Sequence, residues 1–118
     1  MRMTHSPFPK HAPHIIAALE RARVEKADGV LSGFRLLDAD GAGRRKAGGY
    51  TFGRAGFADE TPIHTSEITV VGLDDITTSS GSRYVIADYC GDAKAELKAL
   101  KAEMRRRKKD LRPLGKVN

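Results

Sequence analysis

Apolar and polar positions change period twice along the chain. In PHIIAALERARVEKA, Ile15, Ile16, Leu19 and Ala22 recur at helical spacing, while Glu20, Arg21, Arg23, Glu25 and Lys26 cover the other side. Pro13 suits a first helical turn, where its missing N–H is not needed. Asp28-Gly29 predicts the stop, with Gly29 as the left-handed residue, so a helix is expected over 13–27. From Val30 the period shortens towards two. In VLSGFRLL, Val30, Phe34 and Leu36 share a parity, and in GYTFGR Tyr50 and Phe52 alternate with Thr51 and Gly53. IHTSEITVVGL is the longest strand segment, and its imperfect alternation predicts a bend or bulge near Glu67. ITTS and SRYVIAD read as short strands beyond turns at Asp74-Asp75 and Ser80-Gly81, while DADGAGRRKAGG and AGFADETP read as loops. From Asp92, a good N-cap, the pattern AKAELKALKAEMRRRKKDLR is helical again, and Pro113 closes it. The expected fold class is α+β. A five-stranded antiparallel meander over 30–87 curls into a small SH3-like barrel to remove its edges. Helices at 13–27 and 92–112 flank it.

Charge sharpens this picture. Residues 92–118 hold ten of the chain's 21 basic residues and four of its 15 acidic ones, so the whole net charge of +6 sits there and residues 1–91 are neutral. The 118 residues suit one domain. No stretch approaches the ~18 apolar residues of a membrane span. The run from Ile15 to Leu19 is short and followed by charge, so no secretory signal is expected. A single cysteine excludes an internal disulfide and fits a reducing, cytoplasmic compartment. Residues 1–11, with Pro7 and Pro9, read as an extended arm. Aromatics are 6% of the chain and Trp is absent, so the core is modest and needs its helices docked or a second copy.

With Leu97 at position a of a heptad, Leu97, Met104 and Leu111 fall at a and Leu100 at d, with Arg107 also at d. Lys94, Lys101 and Lys108 line one flank, and Glu96, Glu103 and Asp110 the other. A parallel homodimer would match Glu96 with Lys101 and Glu103 with Lys108 across the seam. The same stripe could instead dock on the barrel or on a foreign partner. Arg105, Arg106, Arg107, Lys108 and Lys109, with Lys98 and Arg112, put cations on the outer face, and Arg44, Arg45 and Lys46 add a second basic spot. Both could contact the phosphates of DNA or RNA, or could simply be solvated. No aromatic lies among the helix cations, so stacking on single strands is not supported there.

Catalytic signals are thin. His11 and His14, three apart, could share a metal with His5 or His64. His64, Ser66 and Asp74 or Asp75 could be assembled into a triad, but no nucleophile turn accompanies them. Cys90 reads as packing. GAGRRKAGG lacks the Gly-Lys-Ser/Thr of a phosphate loop, and Gly53-Arg54-Ala55-Gly56 lacks the flanking helices of a KH domain. No catalytic residue, metal or cofactor is expected. GYTFGRAGFADETPIHTSEITVV followed by TTSSGSRYVI resembles small uncharacterised proteins of phages and prophages, which share a glycine-aromatic strand, a D-x-T-x-I-x-T-S segment and a T-x-S-G-S-x-Y hairpin. Glu60 stands where that pattern expects glycine before Thr61. The resemblance implies an accessory protein of a mobile element, cytoplasmic in a bacterial host. Such proteins often bind host machinery, and anti-CRISPR inhibitors are among them. The expected function is therefore non-enzymatic binding of a host protein or nucleoprotein complex. The alternatives are direct DNA or RNA binding and a small hydrolase or transferase acting through His64, Ser66 or Cys90.

Overall fold

The computed structural model describes residues 11–38 and 43–117, with side chains through residue 108. The element order is α1 (Pro13–Glu25), β1 (Gly29–Asp38), β2 (Arg45–Phe52), β3 (Thr61–Val71), β4 (Asp75–Thr78), β5 (Arg83–Ile86) and α2 (Ala93–Val117). The arm expected over 1–11 lies outside the described residues, apart from His11.

The five strands close into a barrel in the order β1-β2-β3-β4-β5. Each consecutive pair is antiparallel, but β5 meets β1 in parallel, with Val30 beside Val85 and Leu31 beside Ile86. This corrects the purely antiparallel expectation. Five strands that alternate in direction leave the first and last pointing the same way, so closure must be parallel. The chain is thus an α+β protein with a closed five-stranded barrel, consistent with the SH3-like architecture.

The parallel seam is buried on both faces, as parallel pairs generally are. Leu31, Tyr84 and Ile86 face the barrel core with Phe34, Leu36, Ile68 and Ile76. Val30 and Val85 face outward and are covered by Ile15, Ala18, Leu19 and Ala22 of α1. Full burial of one such Ile or Leu contributes roughly 1.5–3 kcal/mol, so the covering helix and the core beneath both hold the seam. A charge cluster fastens the same helix. Asp75 accepts from Arg21 Nη2 (2.6 Å) and Arg83 Nη2 (2.8 Å), and Arg83 also reaches Glu25 (2.5 Å).

Several local expectations shift for physical reasons. Val30, Phe34 and Leu36 do not share a face, because β1 bulges between Ser32 and Arg35 and Gly33 takes φ 63°. Asp88 holds the bulge: Gly33 N–H donates to its Oδ1 (2.5 Å), Ser32 Oγ to its Oδ2 (2.9 Å), and His14 Nε2 lies 2.7 Å away. The expected irregularity in β3 is present between His64 and Glu67, where Thr65 Oγ1 accepts the Ala47 N–H (3.0 Å). The glycine-rich loop is shorter than expected, since β2 already begins at Arg45. Glycine is tolerated there because β1 crowds it: a Cβ at Gly49 would stand 2.8 Å from the Ser32 carbonyl oxygen. α1 ends at Glu25, and Lys26 (φ 60°), rather than Gly29, is its left-handed cap. Ala27 N–H bonds the Ala22 carbonyl (2.8 Å), which turns the chain early enough for Gly29 to open β1. α2 continues through Pro113 to Val117 instead of closing there. Proline's fixed φ is itself helical, so it strains the turn before it and can start the turn after it.

Burial by itself would raise the Asp88 pKa, but the Gly33 N–H, His14 and Ser32 together outweigh it, and the carboxyl sits below its ordinary value. The unfolded chain then takes up this proton at higher pH than the folded one. The stabilisation is complete above about pH 4 and is lost as pH falls through the folded value. Urea midpoints should therefore drop as pH falls below about 4, and Asp88→Asn should shrink that drop. An undiminished drop in the variant would remove Asp88 from the account.

Glu60 also adopts a left-handed conformation (φ 71°), with its N–H on the Thr51 carbonyl (2.7 Å). This is the position where the phage-like pattern expects glycine. Glu60→Gly should stabilise the fold by about 1 kcal/mol, read as a higher urea midpoint, because only glycine adopts this geometry without a Cβ penalty.

Candidate functional site

The phase of α2 decides which of its residues remain available. Ala93, Leu97 and Leu100 point into the barrel core, at 2%, 4% and 8% exposure, and Met104 packs partly buried at its margin. The apolar stripe is thus occupied in cis from Ala93 to Met104. Leu97 and Leu100 face the barrel rather than a twin helix, and a parallel homodimer using them would first have to undock α2. Of the flanking charges, Glu96 is exposed while Lys101 and Glu103 are half-buried. Glu103 pairs along its own helix, with Arg106 and with Arg107 Nε (3.5 Å). The side chains of Lys109, Leu111 and Arg112 lie outside the described residues.

With the stripe inward, Lys98, Arg105, Arg106, Arg107 and Lys108 are exposed. Lys98 and Arg105 are seven residues apart and share a face, as do Lys101 and Lys108. At the other basic segment, Arg44 is exposed and Arg45 and Lys46 are half-buried at the start of β2. Arg45 Nε lies 3.3 Å from Asp38 Oδ1, and Lys46 stands opposite Glu67 in the β2–β3 ladder. The two segments meet. Arg107 Nη2 donates to the Gly43 carbonyl (3.3 Å), and even a Cβ at Gly43 would come within 3.0 Å of that nitrogen. The contact spans 64 residues of sequence and brings the two basic segments to one end of the molecule. The heptad puts Arg107 in the helix seam, and an arginine at a position otherwise apolar is the sequence signal of this bridge.

Beside this end, α2 and β3 leave an open groove of about 490 Å³. Val70, Val71 and Met104 provide apolar lining, while Lys101, Arg105 and Lys108 supply charge, and among the described residues no carboxylate lines the groove. Val70 is 54% exposed, an unusual state for a large apolar strand residue. Nothing in the strand alternation marked it for this role.

The other candidates are dispersed. His11 Nε2 lies 3.0 Å from Asp59 Oδ2, whereas His14 turns to Asp88. The Asp75 carboxylate is taken by Arg21 and Arg83, and Asp74 accepts from the Tyr89 hydroxyl (2.7 Å). Burial, and then Asp74 itself, push the Tyr89 phenol well above its ordinary pKa. Ser66 Oγ bonds Ser80 Oγ (3.2 Å), and Cys90 is exposed. His64 and Ser66 line one hollow, whereas Asp74 and Asp75 are committed to Tyr89 and to the arginines. Among the described residues, no helix is long and apolar enough to cross a membrane. Comparison with known proteins gives no matching family model, no matching curated protein and no matching solved structure.

Proposed function

We propose that this is a non-enzymatic binding protein that attaches to nucleic-acid phosphates, free or within a nucleoprotein complex, through the basic end formed by the Arg44–Lys46 segment and α2. The Arg107–Gly43 contact supports this reading most strongly, since it gathers two separately encoded basic segments onto one surface. A phosphate lattice repays such clustering, because each neutralised phosphate releases counterions. Arg105, Arg106 and Lys108 are the exposed helix contacts, and Lys98 extends the same face.

A second reading is favoured by the β3–α2 groove. Its apolar lining and cationic rim suit an acidic protein segment with one or two apolar anchors. The resemblance of residues 49–87 to phage and prophage proteins supports placing either partner in host machinery, an anti-defence function of the anti-CRISPR kind included. Capture on the immobilised full chain from bacterial lysate, with and without nuclease, separates the readings. The first expects recovered nucleic acid and loss of co-captured protein after nuclease. Capture of the same proteins regardless of nuclease would transfer the function to the groove.

A further inference from the structure

The segments that carry the phage-like pattern take no part in the basic end, yet they converge elsewhere. Gly48 lies mid-β2 with Arg35 of β1 on one side and His64 of β3 on the other. Leu37 and Arg35 lean over Gly48, and with Tyr50 they wall a hollow of about 250 Å³. Pro62, Ile63 and His64 separate it from a second hollow of about 370 Å³ and line both. In the second hollow stand Arg54, Phe57, Ser66, Ser80, Ser82 and Tyr84. The two hollows adjoin along Pro62–His64: the first lies on the outer face of β2 and β3, and the second opens between β3 and the β4–β5 hairpin, where Thr78 and Tyr84 are nearly buried. Among the described residues no carboxylate lines either of them.

The chemistry of the two hollows repeats. Tyr50 is 47% and Phe57 48% exposed, so two flat apolar rings are offered to solvent. Arg35 is exposed beside the first ring. Arg54 is near the second, held by long bonds to the Tyr84 hydroxyl (3.3 Å) and Ser82 Oγ (3.4 Å), with no carboxylate partner among the described residues. Ser66, Ser80 and Thr78 add a chain of hydroxyls linked at 3.1–3.2 Å. Lys46, on the same outward parity of β2 as Gly48 and Tyr50, leads from the first hollow towards the basic end.

We propose that the outer face of β2 and β3, with the β4–β5 hairpin, is a binding track for single-stranded nucleic acid. Unpaired bases stack on Tyr50 and Phe57, while the phosphates between them meet Arg35, Arg54 and the serine hydroxyls. A duplex keeps its bases inside the stack and cannot use the rings. The track therefore confers a preference for single strands that the basic end lacks, and it stands independently of that end.

The test uses the full chain and a labelled mixed-sequence oligonucleotide of about fifteen nucleotides, single-stranded or annealed, near 0.15 M salt, where long-range attraction is screened. Expected is at least about tenfold tighter binding of the single strand. Tyr50→Ala with Phe57→Ala should cut single-strand affinity by about 100-fold, some tenfold per ring, and leave duplex affinity unchanged. Arg54→Gln should also weaken the single strand selectively, an independent check that removes no ring. Changing Arg105, Arg106 and Lys108 to Gln should weaken both forms while preserving the preference, so failure of the basic end and failure of the track are distinguishable. Equal affinity for both forms, or full single-strand affinity in the two-ring variant, would overturn the proposal. So would competition by free mononucleotides at micromolar concentration that depends on the same rings, which would make the ligand a nucleotide rather than a strand.

Discussion

Changing Arg105, Arg106 and Lys108 to Gln should weaken binding to duplex DNA or RNA by about 10²–10³-fold at 0.1 M salt. Each cation that neutralises a phosphate adds about 0.9 to the slope of log affinity against log salt, so three contacts amount to nearly three decades at that concentration. All three side chains are exposed, and surface changes of this type usually alter stability by less than about 0.5 kcal/mol. The loss would thus report on binding and leave the melting temperature in place. Arg44, Arg45 and Lys46 changed together should weaken binding less, because Arg45 already faces Asp38 and Lys46 stands opposite Glu67. If Arg107 on Gly43 joins the two segments into one footprint, both triples lower the salt slope for the same ligand. A loop triple that binds with unchanged slope would mean that the helix acts alone.

Leu97→Ala should destabilise the fold by about 3 kcal/mol, the middle of the range for a buried leucine. Leu97 is 4% exposed and joins Ala93 and Leu100 in tying α2 to Leu31, Phe34, Ile76 and Ile86. Against a total stability of roughly 5–15 kcal/mol this is a large share, and the melting temperature should fall by about 10 °C or more. The concentration dependence carries the mechanism. A leucine that seals its own barrel gives the same shift at about 10 and about 100 µM, whereas a leucine in a two-chain seam gives a loss that shrinks as concentration rises. The docked arrangement also expects the wild-type chain to sediment as a monomer at about 100 µM. A dimer there that Leu97→Ala dissociates would reinstate the parallel pair that the heptad pattern suggested.

What could be read from the residues depended on how local its cause was. Both helices, the number of strands and the bulge in β3 follow from patterns a few residues long, and they are present. Parity failed where a glycine let the backbone slip: the bulge at Gly33 puts Val30 and Phe34 in different layers and brings Leu31 and Phe34 together. Arg45 and Lys46 read as loop because glycine and charge surround them, but the crowding that demands glycine comes from β1. The heptad in α2 marked the right stripe without naming its partner, since a seam and a docked face have the same period. The basic end was legible only as two separate runs; the Arg107–Gly43 contact that unites them spans 64 residues. The grouping of Tyr50 and Arg35 with Phe57 and Arg54 was not legible, because strand register brings the first two together while the other two lie in the β2–β3 connection.

The most direct test of the central claim is the affinity of the wild-type chain for a short duplex, measured across about 50–300 mM salt. Three exposed helix cations on phosphates predict tight binding at the low end and a log–log slope of about −3 or steeper. Binding that is absent at about 50 mM, or that holds constant across the range, would contradict the assignment of the basic end to nucleic-acid phosphates.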